Sequence, residues 1–251
     1  MKVFRYWWLA GFGVLSACWG TPPVTRALHG TATDMADGLA AFRHGDYSQA
    51  IVRLRRAQFD LNPAEAEMAE LRYLIAECDL QMGEGLAAGL EFHKVADEYP
   101  NTEYAPLALL RAGDANMRLW RRPELDPSGG ETALATYQEL IGRYPGTDAA
   151  VRAEARIRQL NDWFAEKDYK NGTFYYRRRA YDSAIIYFKD VIANYPNTPR
   201  VSDALLRLVD SYRAIGYAEE LKEACANLRR FYPQTDGIDR HCPADASVGA
   251  Q

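Results

Sequence analysis

The chain has 251 residues, 48% of them hydrophobic and 25% charged, with a formal net charge of −4. This balance suits a folded protein and excludes the basic surplus that binds nucleic acid through bulk electrostatics. Its histidines, His29, His44, His93 and His241, are too scattered for the ligand spacing of a metal site.

At the N-terminus, Lys2 and Arg5 precede an apolar stretch from Tyr6 to Leu15. A basic start, a short apolar core and small residues before a cut describe a signal peptide, predicted over residues 1–17. The stretch is too short to span a bilayer, which needs about 20 residues. Leu15-Ser16-Ala17-Cys18 resembles the lipobox of bacterial lipoproteins, whose cysteine receives a diacylglycerol and becomes the first residue. Cys18 is therefore the expected lipidation site, and loss of Lys2 and Arg5 would take the net charge from −4 to −6. Trp19 follows the cysteine in place of the aspartate that retains many lipoproteins at the inner membrane, which points to the outer membrane. Residues 18–32 carry Pro, Thr and Gly without an apolar period and read as a flexible tether.

From residue 33 to residue 236 a helical unit recurs. Its copies close on one phrase: Tyr99-Pro100-Asn101-Thr102, Tyr144-Pro145-Gly146-Thr147, Tyr195-Pro196-Asn197-Thr198 and Tyr232-Pro233-Gln234-Thr235. Twelve, eight and five residues before each proline stand Ala88, Phe92 and Val95; Ala133, Tyr137 and Leu140; Ala184, Phe188 and Val191; and Leu221, Cys225 and Leu228. Steps of four and three place each trio on one helix face. The proline ends the helix, because the residue before it avoids helical backbone. An earlier unit keeps the spacing with Ala50, Leu54 and Ala57, and its Asn62-Pro63 comes one residue late. Twelve residues before the first member of a trio stand Gly38, Ala76, Gly172 and, as the exception to smallness, Val209. A small residue there lets two antiparallel helices cross closely. Gly45-Asp46, Gly83 and Gly216 break the chain between the two helices. Helix, turn, helix, proline resembles the tetratricopeptide repeat. That resemblance implies an all-α, right-handed α-solenoid of about five helical hairpins.

The proline intervals locate two insertions. Pro63 to Pro100 and Pro196 to Pro233 are each 37 residues, whereas Pro100 to Pro145 is 45 and Pro145 to Pro196 is 51. The first insertion is predicted as a proline- and glycine-rich loop over residues 121–130, between the two helices of the third unit. The second is predicted as an added helix from Ala149 to about Glu166 that runs into or abuts the next one and joins two halves of the solenoid. Residues 237–251 are small and polar and read as a disordered tail.

Cys225 sits at an apolar repeat position, where a buried thiol is the plain reading. The oxidising periplasm also makes Cys225 and Cys242 a candidate bridge. Cys78 reads as buried. No nucleophile elbow, zinc-protease signature or phosphate loop occurs, and no catalytic residue, metal or cofactor is expected. Gly83-Glu84-Gly85-Leu86-Ala87-Ala88-Gly89 has the wrong spacing for a dinucleotide loop and serves as a turn and close-packing segment.

The segment from Asn171 to Ile185, with Gly172, the aromatic pair Tyr175-Tyr176, Arg177 and Ala180-Tyr181, resembles the fourth repeat of the BamD family of β-barrel assembly lipoproteins. Arg179 stands where that family usually has Gly. Leu125-Asp126-Pro127 with Glu131-Thr132-Ala133 resembles the same family's third-repeat loop, and Tyr195-Pro196-Asn197-Thr198 leading to Ala204-Leu205 its fifth-repeat entry. The resemblance implies a non-enzymatic lipoprotein on the periplasmic face of the outer membrane. It implies C-terminal repeats docked on a POTRA domain of a BamA-like barrel protein, other Bam lipoproteins in the complex, and N-terminal repeats that meet unfolded outer-membrane proteins. Candidate contact residues are Tyr73, Glu77 and Gln81 in the second repeat, and Tyr169, Thr173, Tyr176, Arg177 and Arg178 in the fourth; each also reads as an ordinary solvated helix face. A periplasmic repeat coordinator of the Tol-Pal type is the alternative. It is disfavoured by the lipobox and by the lack of N-terminal heptads. A lytic transglycosylase would need a separate catalytic domain, for which no stretch outside the repeats is long enough.

Overall fold

The computed structural model describes residues 23–60 and 64–242. Cys18 lies outside them, as do the predicted signal peptide and the residues after 242. Among the described residues the chain is all helix, without strands. Five hairpins follow one another: α1 (Pro23–Arg43) with α2 (Tyr47–Asp60), α3 (Glu65–Gln81) with α4 (Gly85–Glu98), α5 (Tyr104–Leu119) with α6 (Ser128–Arg143), α7 (Asp148–Arg177) with α8 (Tyr181–Asn194), and α9 (Arg200–Ile215) with α10 (Ala218–Phe231). A short α11 (Ile238–His241) follows them. The architecture is the expected all-α solenoid of tetratricopeptide-like hairpins.

The closing phrase works as a helix stop of fixed shape. Tyr99, Tyr144, Tyr195 and Tyr232 have φ between −132 and −128 and ψ between 48 and 57. The following proline excludes helical backbone at each tyrosine. Each tyrosine N–H donates to the last member of its trio: Val95, Leu140, Val191 or Leu228. Thr102, Thr147 and Thr198 then donate their hydroxyls back to the carbonyls of Tyr99, Tyr144 and Tyr195, at 2.8, 2.9 and 2.9 Å. The phrase thus satisfies carbonyl groups that a helix end leaves open.

In the first, third and fourth hairpins, one large side chain of the second helix seats on a glycine of the first. A Cβ placed on Gly172 would lie 2.6 Å from the Phe188 ring, and one on Gly113 would lie 2.3 Å from the Tyr137 ring. Gly38 faces Leu54 in the same way. In the third unit the twelve-residue step lands on Arg121, an exposed loop residue. The insertion displaces the true partner to Gly113. In the fifth unit sizes are exchanged, with Val209 and Cys225 sharing one buried cluster. The trios themselves form the core: Phe92, Tyr137, Phe188, Val95, Leu140 and Leu228 are wholly buried.

Both insertions lie where the proline intervals place them. The added helix fuses with the first helix of the fourth unit to give the single 30-residue α7. The loop between α5 and α6 is shorter than expected, since Gly129 and Gly130 belong to the first turn of α6. They serve packing there. A Cβ on Gly130 would lie 2.2 Å from the ring of Trp120, which is buried at the loop's start. Lys167 of α7 donates to the Leu125 carbonyl at 2.9 Å and Lys170 pairs with Glu124, which pins the loop to α7.

Two boundaries differ from expectation. The span read as a tether to residue 32 overlaps α1, which begins at Pro23. The span read as a disordered tail carries α11, because it is clipped to the last hairpin. Cys225 and Cys242 form a disulfide across 17 residues, and Ile238 and Cys242 enter the terminal core. Arg213 and Arg229 donate to the carbonyls of His241 and Cys242, and His241 Nδ1 lies 2.6 Å from Asp210 Oδ1. Closing such a loop stabilises by about 3 kcal/mol through the unfolded chain. Cys78 is free and buried, and that burial pushes its thiol up to about 11.

Phe188→Ala removes a wholly buried ring seated on Gly172. It should destabilise by about 3–5 kcal/mol in urea unfolding, and an unchanged midpoint would refute the seat. Arg179 is the non-glycine residue with positive φ, 61°, among the described residues, at the turn where other hairpins use Gly45, Gly83 and Gly216. Arg179→Gly should therefore raise stability by about 1 kcal/mol by relieving left-handed backbone.

Candidate functional site

The first helices of successive hairpins touch in series: α3 packs on α5, α5 on α7 and α7 on α9. These first helices form one continuous layer of the solenoid. The residues singled out in the sequence lie on α3 and α7, within this layer.

Tyr73, Glu77 and Gln81 do come together on α3, but they are engaged. Gln81 donates to Glu77 at 2.8 Å. Arg111 of α5 donates to both Glu77 oxygens and, at 3.1 Å, to Asp114. Asp114 also accepts from the Tyr137 hydroxyl at 2.9 Å and from Arg156 Nε of α7 at 3.1 Å. One network thus crosses α3, α5, α6 and α7. Burial works against the Arg111 charge, but the Glu77 and Asp114 carboxylates outweigh it and hold the guanidinium above its ordinary value. Removing one member would leave a poorly hydrated charge without its partner, the costly outcome for a buried pair. Tyr73 packs between Phe92 and Tyr104, with ring centroids 5.3 and 5.6 Å away. Its burial, with the Glu77 carboxylate, pushes the phenol above its ordinary value.

On α7 the candidates divide. Arg200 lies over the Tyr169 ring at 5.0 Å and Arg207 over the Tyr176 ring at 5.3 Å. Both arginines come from α9, so these tyrosines tie the last two hairpins together. The Thr173 hydroxyl is buried without a hydrogen-bond partner among the described residues. Arg177 and Arg178 are exposed, and Arg178 lies 4.1 Å from the centroid of Phe174, itself an exposed ring. Of the residues named on α7, these two arginines are the ones open to a partner.

The sequence reading missed the groups that bind α5 to α7. Trp120 meets Trp163 edge-on at 5.5 Å and Phe164 at 4.7 Å. Arg111 and Asp114 stand three apart on α5, a pattern common on solvated helices. Nothing in that spacing tells that Glu77 and Arg156 complete it from other helices.

A sequence model of the family described as YfiO, outer membrane lipoprotein, matches residues 35–228, from within α1 to within α10. The chain belongs to the YfiO family of outer membrane lipoproteins. Outer membrane protein assembly factor BamD of Caulobacter vibrioides is 36% identical over 108 residues, which cover 43% of this chain and 35% of that protein. The Rickettsia prowazekii protein of the same name is 33% identical over 100 residues, 40% of each chain. That of Neisseria meningitidis serogroup A is 24% identical over 164 residues, 62% of this chain and 61% of the other. The chain thus spans between about a third and three fifths of the length of these curated relatives. Among solved structures, a thermophilic tetratricopeptide-repeat protein of Thermus thermophilus is similar over 84% of this chain and 96% of its own, at 17% identity and a TM-score of 0.38. The family match takes in Tyr73, Glu77, Gln81 and all the α7 candidates, and it leaves α11 and Cys242 outside.

One acid within the α7–α8 hairpin titrates unusually. Burial, with the neighbouring Asp190 carboxylate, pushes Asp168 up to about 6, against Lys167. The folded state therefore holds this proton more tightly than the unfolded chain, so stability falls as pH rises from about 4 through 6. Asp168→Asn should raise Tm by about 2–4 °C near pH 7.5, discounted for partial exposure. The gain should vanish near pH 4, and an equal gain at both pH values would refute the shift.

Proposed function

We propose that this lipoprotein is a non-enzymatic scaffold of outer-membrane β-barrel assembly. It is held on the periplasmic face of the outer membrane by a lipid on Cys18. Its C-terminal hairpins, α7 to α10, dock on a POTRA domain of a BamA-like barrel protein beside other Bam lipoproteins. Unfolded outer-membrane chains meet its N-terminal hairpins. The family match over residues 35–228 carries this reading, and the shared name of the relatives supports it.

The physical support is the end of α7. Arg177, Arg178 and Phe174 leave two cations and an apolar ring exposed together. An interface needs such an apolar centre, with charge at its rim to steer docking. By contrast, Tyr169 and Tyr176 act within the solenoid, and Glu77 is tied to Arg111.

The test reverses the rim. Arg177→Glu with Arg178→Glu in the full chain should leave helicity unchanged, because both side chains are exposed. Recovery of the barrel protein with the tagged lipoprotein from outer membranes should fall by about tenfold, equivalent to about 1.4 kcal/mol. Full recovery would show that this end of α7 does not dock.

A further inference from the structure

A second surface, on the layer of first helices, is built differently from the end of α7. Between α5 and α7 lies a cleft of about 390 Å³. Arg111, Arg118, Arg121 and Arg156 line it, against the single carboxylate of Asp114. Trp163, half-buried, forms its apolar wall, backed by the buried Trp120.

The charges do not cancel. Arg111 is bound to Glu77 and Asp114, and Arg156 shares Asp114. Those two arginines and two carboxylates balance one another. Arg118 and Arg121 remain, both exposed, with no ion pair or hydrogen bond among the described residues. This local surplus sits on a chain whose net charge is −4, so it does not come from bulk composition. The wall beside it is rigid. Trp120 is held by its ring contact with Phe164 and by the space that Gly130 leaves, and its indole N–H has no partner among the described residues. A preformed wall lowers the ordering cost of binding. Tryptophan and arginine are also the side chains that dominate interface energies.

We propose that this cleft binds an acidic segment of a partner polypeptide, with its carboxylates on Arg118 and Arg121 and its backbone or apolar side chains along Trp163. Guanidinium groups match carboxylates in a two-pronged geometry that lysines cannot supply. The recess favours a polypeptide over a lipid surface, because a flat bilayer cannot enter a cleft between two helices.

The probe is a fluorescent peptide of alternating glutamate and glycine, titrated into the purified full chain by anisotropy. Binding is expected, weakening as salt is raised, because exposed charges are screened. A lysine–glycine peptide should not bind. Arg118→Glu with Arg121→Glu, at unpartnered exposed positions, should keep the fold, lose affinity for the glutamate peptide by about tenfold or more, and gain affinity for the lysine peptide. No binding of the glutamate peptide, or equal binding by the double variant, overturns the proposal. So does a third result: the peptide is ignored, while vesicles of phosphatidylglycerol bind the native chain and lose it in the double variant. In that case the cations meet lipid phosphate.

Discussion

The first, third and fourth hairpins depend on one fit, a large side chain of the second helix lying on a glycine of the first. Two helices that approach this closely bury their facing surfaces without a void. At Gly113 and Gly172 the approach leaves no room for a methyl group against Tyr137 and Phe188. Such a seat sets both the distance and the register of the pair, since the ring can occupy only the gap that the small residue opens. The stop that follows, Tyr-Pro-x-Thr, comes a fixed number of residues after the seat. Seat and stop together make successive units nearly identical, which is what lets them stack.

Stacking brings the first helices of successive hairpins side by side. Ion pairs and ring contacts there run between helices: Glu77 to Arg111, Asp114 to Arg156, Tyr169 to Arg200, Tyr176 to Arg207. They lock α3, α5, α7 and α9 to one another. The 30-residue α7 is the splice in this layer. Its first half closes the core of the third hairpin through Leu160 and Phe164, and its second half opens the core of the fourth. The splice holds the two halves of the solenoid in a fixed relation.

Residues left outside this locked layer are the informative ones. Arg177, Arg178, Arg118 and Arg121 are exposed on a protein of negative net charge. Arginine carries a large entropy cost when ordered. Exposed cations beside an exposed Phe174 and a half-buried Trp163 have the composition of docking surfaces.

The sequence by itself determined the repeat. The 3.6-residue period of Ala184, Phe188 and Val191, the proline stops and the glycine turns are local, and local backbone preference is enough to read them. The proline intervals likewise placed both insertions, because a solenoid tolerates extra residues only between its units or turns. Tertiary structure decided the rest. Gly113 became the seat of Tyr137 only after the insertion had moved it out of step. Glu77 and Gln81 look like a free face on α3, and they are consumed because Arg111 arrives from another helix. Cys242 looks like part of a loose tail, and it is ordered because Cys225 lies within bonding distance across the last hairpin. Charge pairing, ring seating and disulfide formation depend on distances between segments far apart in the chain. Periodicity carries no such distance, so only the folded solenoid could assign these partners.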